Sequence, residues 1–231
     1  MMIVLGTQSE KFTKYEASQG GHALNGAFFY AEEIENNILP AIGDVDVTIV
    51  TTGATLYKSK ELPNGAIVVC HDNRRPISSY RLLLRKNILW ICSKHSTVDK
   101  MRGVGEKAIY IPLSIDTSYV EKFKTEKTEA AAFVGNPWGF KKRYLNLLPK
   151  DIVQLSGLER EDLLREMAKY RRVIAEGRCL MEAQVLGAET EVPRYEDGIE
   201  SVYVEALDNK DTIPYWKLAL EAHADIQKRE T

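Results

Sequence analysis

Short apolar runs alternate with amphipathic stretches along this chain, and the change of spacing between them predicts its elements. Residues 2–6 read as a first buried strand. A polar loop follows through Gly20 and Gly21. Leu24, Phe28, Ala31, Ile34 and Ile38 then recur on one face and predict a helix over about 23–38, which Pro40 and Gly43 should stop. Strands are expected at 45–50, 66–70, 88–92 and 108–111, with helices near 77–85 and 93–101 between them. The charged stretch 117–129 has weak periodicity and reads as a linker. The pattern then restarts with a strand at 131–134, a helix over 140–148 and a strand at 151–155. Ser156 and Glu159 have the spacing of a capping box ahead of a helix carrying Leu163, Leu164 and Met167. A strand at 173–175 leads into a helix closed by Gly187. A last amphipathic helix covers about 214–228, with Trp216, Leu218, Leu220 and Ile226.

Strand-like runs that are apolar throughout, alternating with helices, argue for parallel sheets covered on both faces. The fold class expected is α/β, with two halves in tandem. The first would span 1–116 and the second 117–212, with the closing helix, 213–231, returning to the first.

Composition excludes more than it selects. The 231 residues carry a formal charge of −2, so no global field draws the chain to nucleic acid or to an anionic membrane. No apolar run approaches the length of a membrane span. The opening Met-Met-Ile-Val-Leu-Gly is too short for a signal peptide and has no basic leader. Cys70, Cys92 and Cys179 form no C-x-x-C or zinc pattern and read as inert thiols, which points to the reducing cytoplasm.

The chemistry concentrates in residues 176–187, EGRCLMEAQVLG. A Glu-Gly pair follows a short apolar strand, and a helix with one carboxylate in its first turns comes next. Helix-start amides suit phosphate, and a carboxylate accepts hydrogen bonds from a sugar diol. This segment resembles the donor-site motif of nucleotide-sugar glycosyltransferases of the GT-B type. CSKHSTVDKMRGVGEKAIYIPLSIDTSYV resembles the segment joining the halves of those enzymes. AAAFVGNPWGFKKRYLNLL resembles the strand, glycine turn and basic helix that open their donor half, and VQLSGLEREDLLREMAKYRRVIAEG the strand, helix and strand before the motif. The likeness covers roughly residues 67–200.

The resemblance implies two Rossmann-like domains facing a cleft, a compact GT-B fold with an acceptor half and a donor half. It implies transfer of a sugar, glucose first, from a UDP-sugar to an acceptor hydroxyl. Two departures stand out. GT-B enzymes are usually much longer. Many retaining members also carry two glutamates separated by seven residues, whereas Glu176 and Glu182 have five between them, which leaves the stereochemical outcome open.

Roles follow residue by residue. Gly135 opens a turn that brings amides near an anion, and Lys141, Lys142 and Arg143 follow it closely enough to neutralise a diphosphate. Gly177 and Arg178 begin the next helix beside them. Glu182 is the expected anchor for ribose hydroxyls and Glu176 for a sugar hydroxyl. Gly20 and Gly21 allow close approach of backbone to the donor. HDNRRP, residues 71–76, resembles a loop of phage DNA β-glucosyltransferases. That likeness makes Asp72 the base, with His71 an independent candidate because imidazole titrates near neutrality. Arg74 and Arg75 would then contact double-stranded DNA, the acceptor being a hydroxymethylated pyrimidine, and the setting the cytoplasm of an infected host.

Asp44 and Asp46 resemble a metal-binding DxD. They precede a strand and alternate across it, so no metal site is assigned and no cofactor is required, although a divalent metal is compatible. His22 and His95 lack partner spacing. Trp138 could stack on a base or simply fill the rim. Two other readings stay open: transfer to a glycan or lipid-linked acceptor, and a non-catalytic protein that binds a nucleotide or nucleotide-sugar.

Overall fold

The structure, a computed structural model, describes residues 3–5, 30, 33–43, 47–51, 65–70, 87–135, 139–195, 201 and 203–228. The chain is α/β, and every strand pairing among the described residues is parallel. It divides into two compact units, Met1–Pro112 with Asn209–Thr231, and Leu113–Asp208.

The first unit holds a sheet of β1 (Ile3–Leu5), β2 (Thr48–Thr51), β3 (Ile67–Cys70), β4 (Leu89–Cys92) and β5 (Lys107–Tyr110), in that spatial order. β3 and β4 are buried at every position, which is why both read as unbroken apolar runs. Val68, Cys70, Trp90, Cys92 and Ala108 share one face, with Val98 and Met101 of α2 (His95–Gly103) packed on it. Arg102 donates from Nε and Nη2 to the Ala108 carbonyl at 3.0 and 2.9 Å and ties the end of α2 to β5. A doubly wound sheet reverses its strand order part-way across. Among the described strands this one does not.

Pro40 does not stop the first helix. The chain runs as a π-helix over Ile34–Ile38 and continues as α1 (Leu39–Ile42), with Gly43 at φ +106° as its end. The Leu39 N–H reaches back to the Ile34 carbonyl, five residues earlier. Proline has no N–H to give, and its ring crowds the carbonyl four residues back, so the turn ahead of it widens. The predicted helix 77–85, and the predicted helix over 23–29, lie outside the described residues.

The last helix, α7 (Asn209–Lys228), begins before Pro214 rather than at it. The Asn209 amide donates to Glu33 Oε2 at 2.7 Å and Thr212 Oγ1 to the Asn209 carbonyl at 2.9 Å, which fixes the extra turn. Thr212, Trp216, Ala219, His223 and Ile226 form the buried face, at spacings of three and four. α7 belongs to the first unit.

The second unit holds β6 (Glu129–Val134), β7 (Val153–Leu155), β8 (Tyr170–Ile174) and β9 (Glu189–Glu191), ordered β7-β6-β8-β9. Its helices are α3 (Thr117–Glu121), α4 (Gly139–Leu147), α5 (Arg160–Met167) and α6 (Arg178–Val185). Ala132, Phe133, Leu164, Met167, Val173, Leu180 and Met181 are all buried. The expected linker is not one. Asp116 caps α3 by accepting from the Tyr119 N–H at 2.8 Å, and α3 packs on α6. The capping box at Ser156 does not form either. α5 starts at Arg160, with Glu159 as its N-cap and no capping side-chain bond, so the helix begins after the predicted box. β9 had no apolar signature, being the edge strand Glu-Thr-Glu.

Candidate functional site

The order β7-β6-β8-β9 contains a reversal. The chain steps from β6 to β7 on one side, then returns to place β8 on the other side of β6. Loops leaving neighbouring strands in opposite directions leave a crevice at the strands' carboxyl ends, where open α/β sheets bind ligands. The register Phe133↔Ile174 brings Gly135, which follows β6, beside Glu176, which follows β8.

Gly135 has φ +151°, and a Cβ there would stand 3.3 Å from the Phe133 ring and 3.7 Å from Lys141 Nζ. Glycine is needed at this turn. Gly177 has φ +58° and serves as the N-cap of α6 without a capping side chain. The first turn of α6, where Arg178 and Leu180 are buried, has no side-chain cap, so its amides and dipole suit an anion.

Two ion pairs occupy this end of the sheet. Lys141 Nζ on α4 lies 2.7 Å from Glu176 Oε1, the side chains being 22% and 9% exposed. The Tyr195 hydroxyl donates to the same Glu176 oxygen at 3.1 Å. Tyr195 packs edge-on to Tyr144, with ring centroids 5.6 Å apart, and Tyr144 leans on Phe133. Deeper, Arg178 Nε donates to Glu182 Oε1 at 2.8 Å across one turn of α6, with side chains 6% and 3% exposed. Arg160 Nε stands 3.8 Å from that oxygen, and its guanidinium lies 5.0 Å from the centroid of the Tyr119 ring. Among the described residues Lys141, Arg160 and Arg178 thus gather with Glu176 and Glu182 at this end of the sheet.

Cys179 reports how closely these groups gather. Burial pushes its thiol up to about 12, Glu182 and Glu176 push it the same way, and Lys141 and Arg178 oppose them. The thiol stays protonated at neutral pH and is no nucleophile. In the first unit, the hydrogen bond with Cys70 raises the Cys92 thiol most, with burial second.

Of the residues read from sequence, the structure brings together Gly135, Lys141, Glu176, Gly177, Arg178 and Glu182. Arg143 is on α4 with its side chain exposed. Glu182 was expected to meet ribose hydroxyls; here it is buried and engaged with Arg178, so it orients a guanidinium. Gly20, Gly21, His71, Asp72, Arg74 and Arg75 lie outside the described residues, as do Asp44, Asp46, His22 and Trp138. His95 stacks on Tyr110 with ring centroids 3.8 Å apart. Sequence reasoning missed Arg160 and Tyr195. Arg160 looked like one more charge on a helix start, and Tyr195 follows β9, for which there was no signal.

Among the described residues, no group of three His, Cys, Asp or Glu side chains is placed to hold a metal ion. No helix among them is long and apolar enough to cross a membrane. No protein-family model, curated protein or solved structure matches the chain.

Proposed function

We propose that the second unit binds a nucleoside diphosphate sugar and that the chain is a compact glycosyltransferase of the GT-B type, with UDP-glucose as the first-choice donor. One observation carries this reading: Lys141, Glu176, Arg178 and the uncapped start of α6 meet at the reversal point of a parallel sheet. A diphosphate leaving group needs cations and amides aimed at its oxygens, and this end of the sheet carries both. Arg178, oriented by Glu182, is the fixed cation. Lys141 and Arg143 on α4 are the further cations, and Glu176 would accept from a sugar hydroxyl. Asp72 or His71 would take the acceptor proton, and Arg74 and Arg75 would hold a DNA acceptor carrying a hydroxymethylated pyrimidine.

A thermal-shift panel of nucleoside diphosphates and their sugars tests the proposal. A ligand at about 100 times its Kd adds about 2.7 kcal/mol, a rise of several degrees in Tm. Selective stabilisation by UDP or a UDP-sugar is expected. No stabilisation by any member of the panel overturns the reading.

A second reading has one observation behind it. The described strands of the first sheet run in sequence order, so no reversal marks an acceptor crevice there. A non-catalytic nucleotide-sugar-binding protein is consistent with that. Purified protein that transfers or hydrolyses the donor, and loses this in Asp72→Ala while still binding UDP, excludes it.

A further inference from the structure

We infer that Lys141 and Glu176 form an exchange pair that makes the site prefer a nucleotide-sugar to the bare nucleoside diphosphate, an inference that rests on the reading of this site as a nucleotide-sugar site. The two ion pairs of the second unit differ in how firmly they are held. Arg178 and Glu182 are one turn apart on the same helix, and both are buried. The helix itself sets their separation, and burial limits their rotamers. Lys141 and Glu176 come from different elements, and Lys141 carries its charge on a flexible four-carbon stem that is the more exposed of the two. Lys141 Nζ lies beside the Gly135 turn, within van der Waals reach of where a Cβ would stand.

Glu176 does not share that freedom. Its Oε1 also takes the Tyr195 hydroxyl, and the Tyr195 ring is wedged against Tyr144. A phosphate arriving at the start of α6 therefore draws Lys141 Nζ away and leaves Glu176 behind. A carboxylate that is 9% exposed then loses its 2.7 Å partner Lys141 where water replaces it poorly. A bare diphosphate offers nothing in exchange for that contact. A diphosphate ester whose sugar hydroxyls donate to Glu176 restores the lost bonds. Donor binding is thus favoured over product binding, and the return of Lys141 to Glu176 helps the product leave. Tyr195 is a positioning residue in this device, because it keeps the carboxylate in place when the lysine departs.

Calorimetric titration of the full chain with UDP, UDP-glucose and inorganic pyrophosphate tests the device. The wild type should bind UDP-glucose about tenfold more tightly than UDP. Glu176→Gln should bind UDP and pyrophosphate more tightly than the wild type and lose the preference for the sugar. Tyr195→Phe should weaken the preference in the same direction by less, and it carries the test if Glu176→Gln does not fold. A preference that persists in both variants, or weaker UDP binding in Glu176→Gln, overturns the exchange while leaving the proposed function standing. A wild type that binds none of the three probes overturns both.

Discussion

The two sheets agree in strand direction and differ in strand order, and among the described residues the ion pairs at the strands' carboxyl ends lie in the sheet whose order reverses. In the first, β1 to β5 lie side by side in sequence order. Where β3 and β4 end, the side chains are two thiols, Cys70 and Cys92, both fully buried and sharing a hydrogen bond. In the second, the return past β6 splits the loops, and Glu176 and Arg178, just after β8, meet Lys141 from the helix that follows β6. A reversal of strand order makes a place where helix starts and charges can meet a ligand.

The largest expected effect separates these roles. Trp90 is fully buried on β4, and its indole N–H donates to Glu106 Oε2 at 3.1 Å. Trp90→Ala should cost about 3–5 kcal/mol of unfolding free energy, read by urea denaturation. UDP affinity, measured well below the transition, should be unchanged. Affinity that falls with stability would place part of the binding chemistry in the first unit and break the comparison.

In the second unit stability and binding should move together. Glu182→Ala leaves the buried Arg178 guanidinium without the carboxylate that holds it, at a cost of about 3 kcal/mol. The same variant should bind UDP at least about tenfold more weakly, because Arg178 is no longer held in orientation. Denaturation and titration on one preparation check both. A stability loss with UDP affinity intact would reduce Glu182 to a packing residue.

How much of this was legible in the sequence depends on what each residue had to signal. β3 and β4 were legible because their residues are buried on both faces, so apolar character runs unbroken through IVVC and LWIC. The face of α7 was legible through its spacing, but its start was not. Pro214 looked like a first-turn residue, and the bond from Asn209 to Glu33 spans 176 residues of sequence. The helix of Thr117–Glu121 was invisible because its stability comes from the Asp116 cap and from packing on α6, not from periodicity. At the site, the Glu-Gly-Arg segment and Gly135 could be picked out, since glycines at positive φ and a charged helix start are local features. The partners were not. Nothing local ties Tyr195 to Glu176, or Arg160 to Glu182, because those contacts depend on strand order, and strand order is set by tertiary packing.

The smallest expected effect distinguishes two raised thiols. Cys179, half-buried, sits beside four of the charges of the site, and its thiol is raised from an ordinary 9.0 to about 12, with desolvation the leading cause. Cys92 is raised first by its bond to Cys70, with no carboxylate contributing. For Cys179 the sign is fixed by proton linkage. Between pH 9 and 12 the unfolded chain has lost the proton and the folded chain keeps it. The folded state binds more protons there, so stability falls as pH rises, by at most about 1.4 kcal/mol per unit. Below pH 9 both states carry the thiol and the contribution is complete. Cys179→Ala should therefore show a shallower alkaline loss than the wild type, by about 1 kcal/mol between pH 9 and 10, read from urea midpoints at each pH. Glu176→Gln, which removes one of the two carboxylates raising this thiol, should end the loss at a lower pH and reduce its total, with the onset near pH 9 and the behaviour of Cys92 unchanged. Parallel pH curves for wild type and Cys179→Ala would mean that the thiol titrates alike in the folded and unfolded chains, and that the charges around it do not meet at one point.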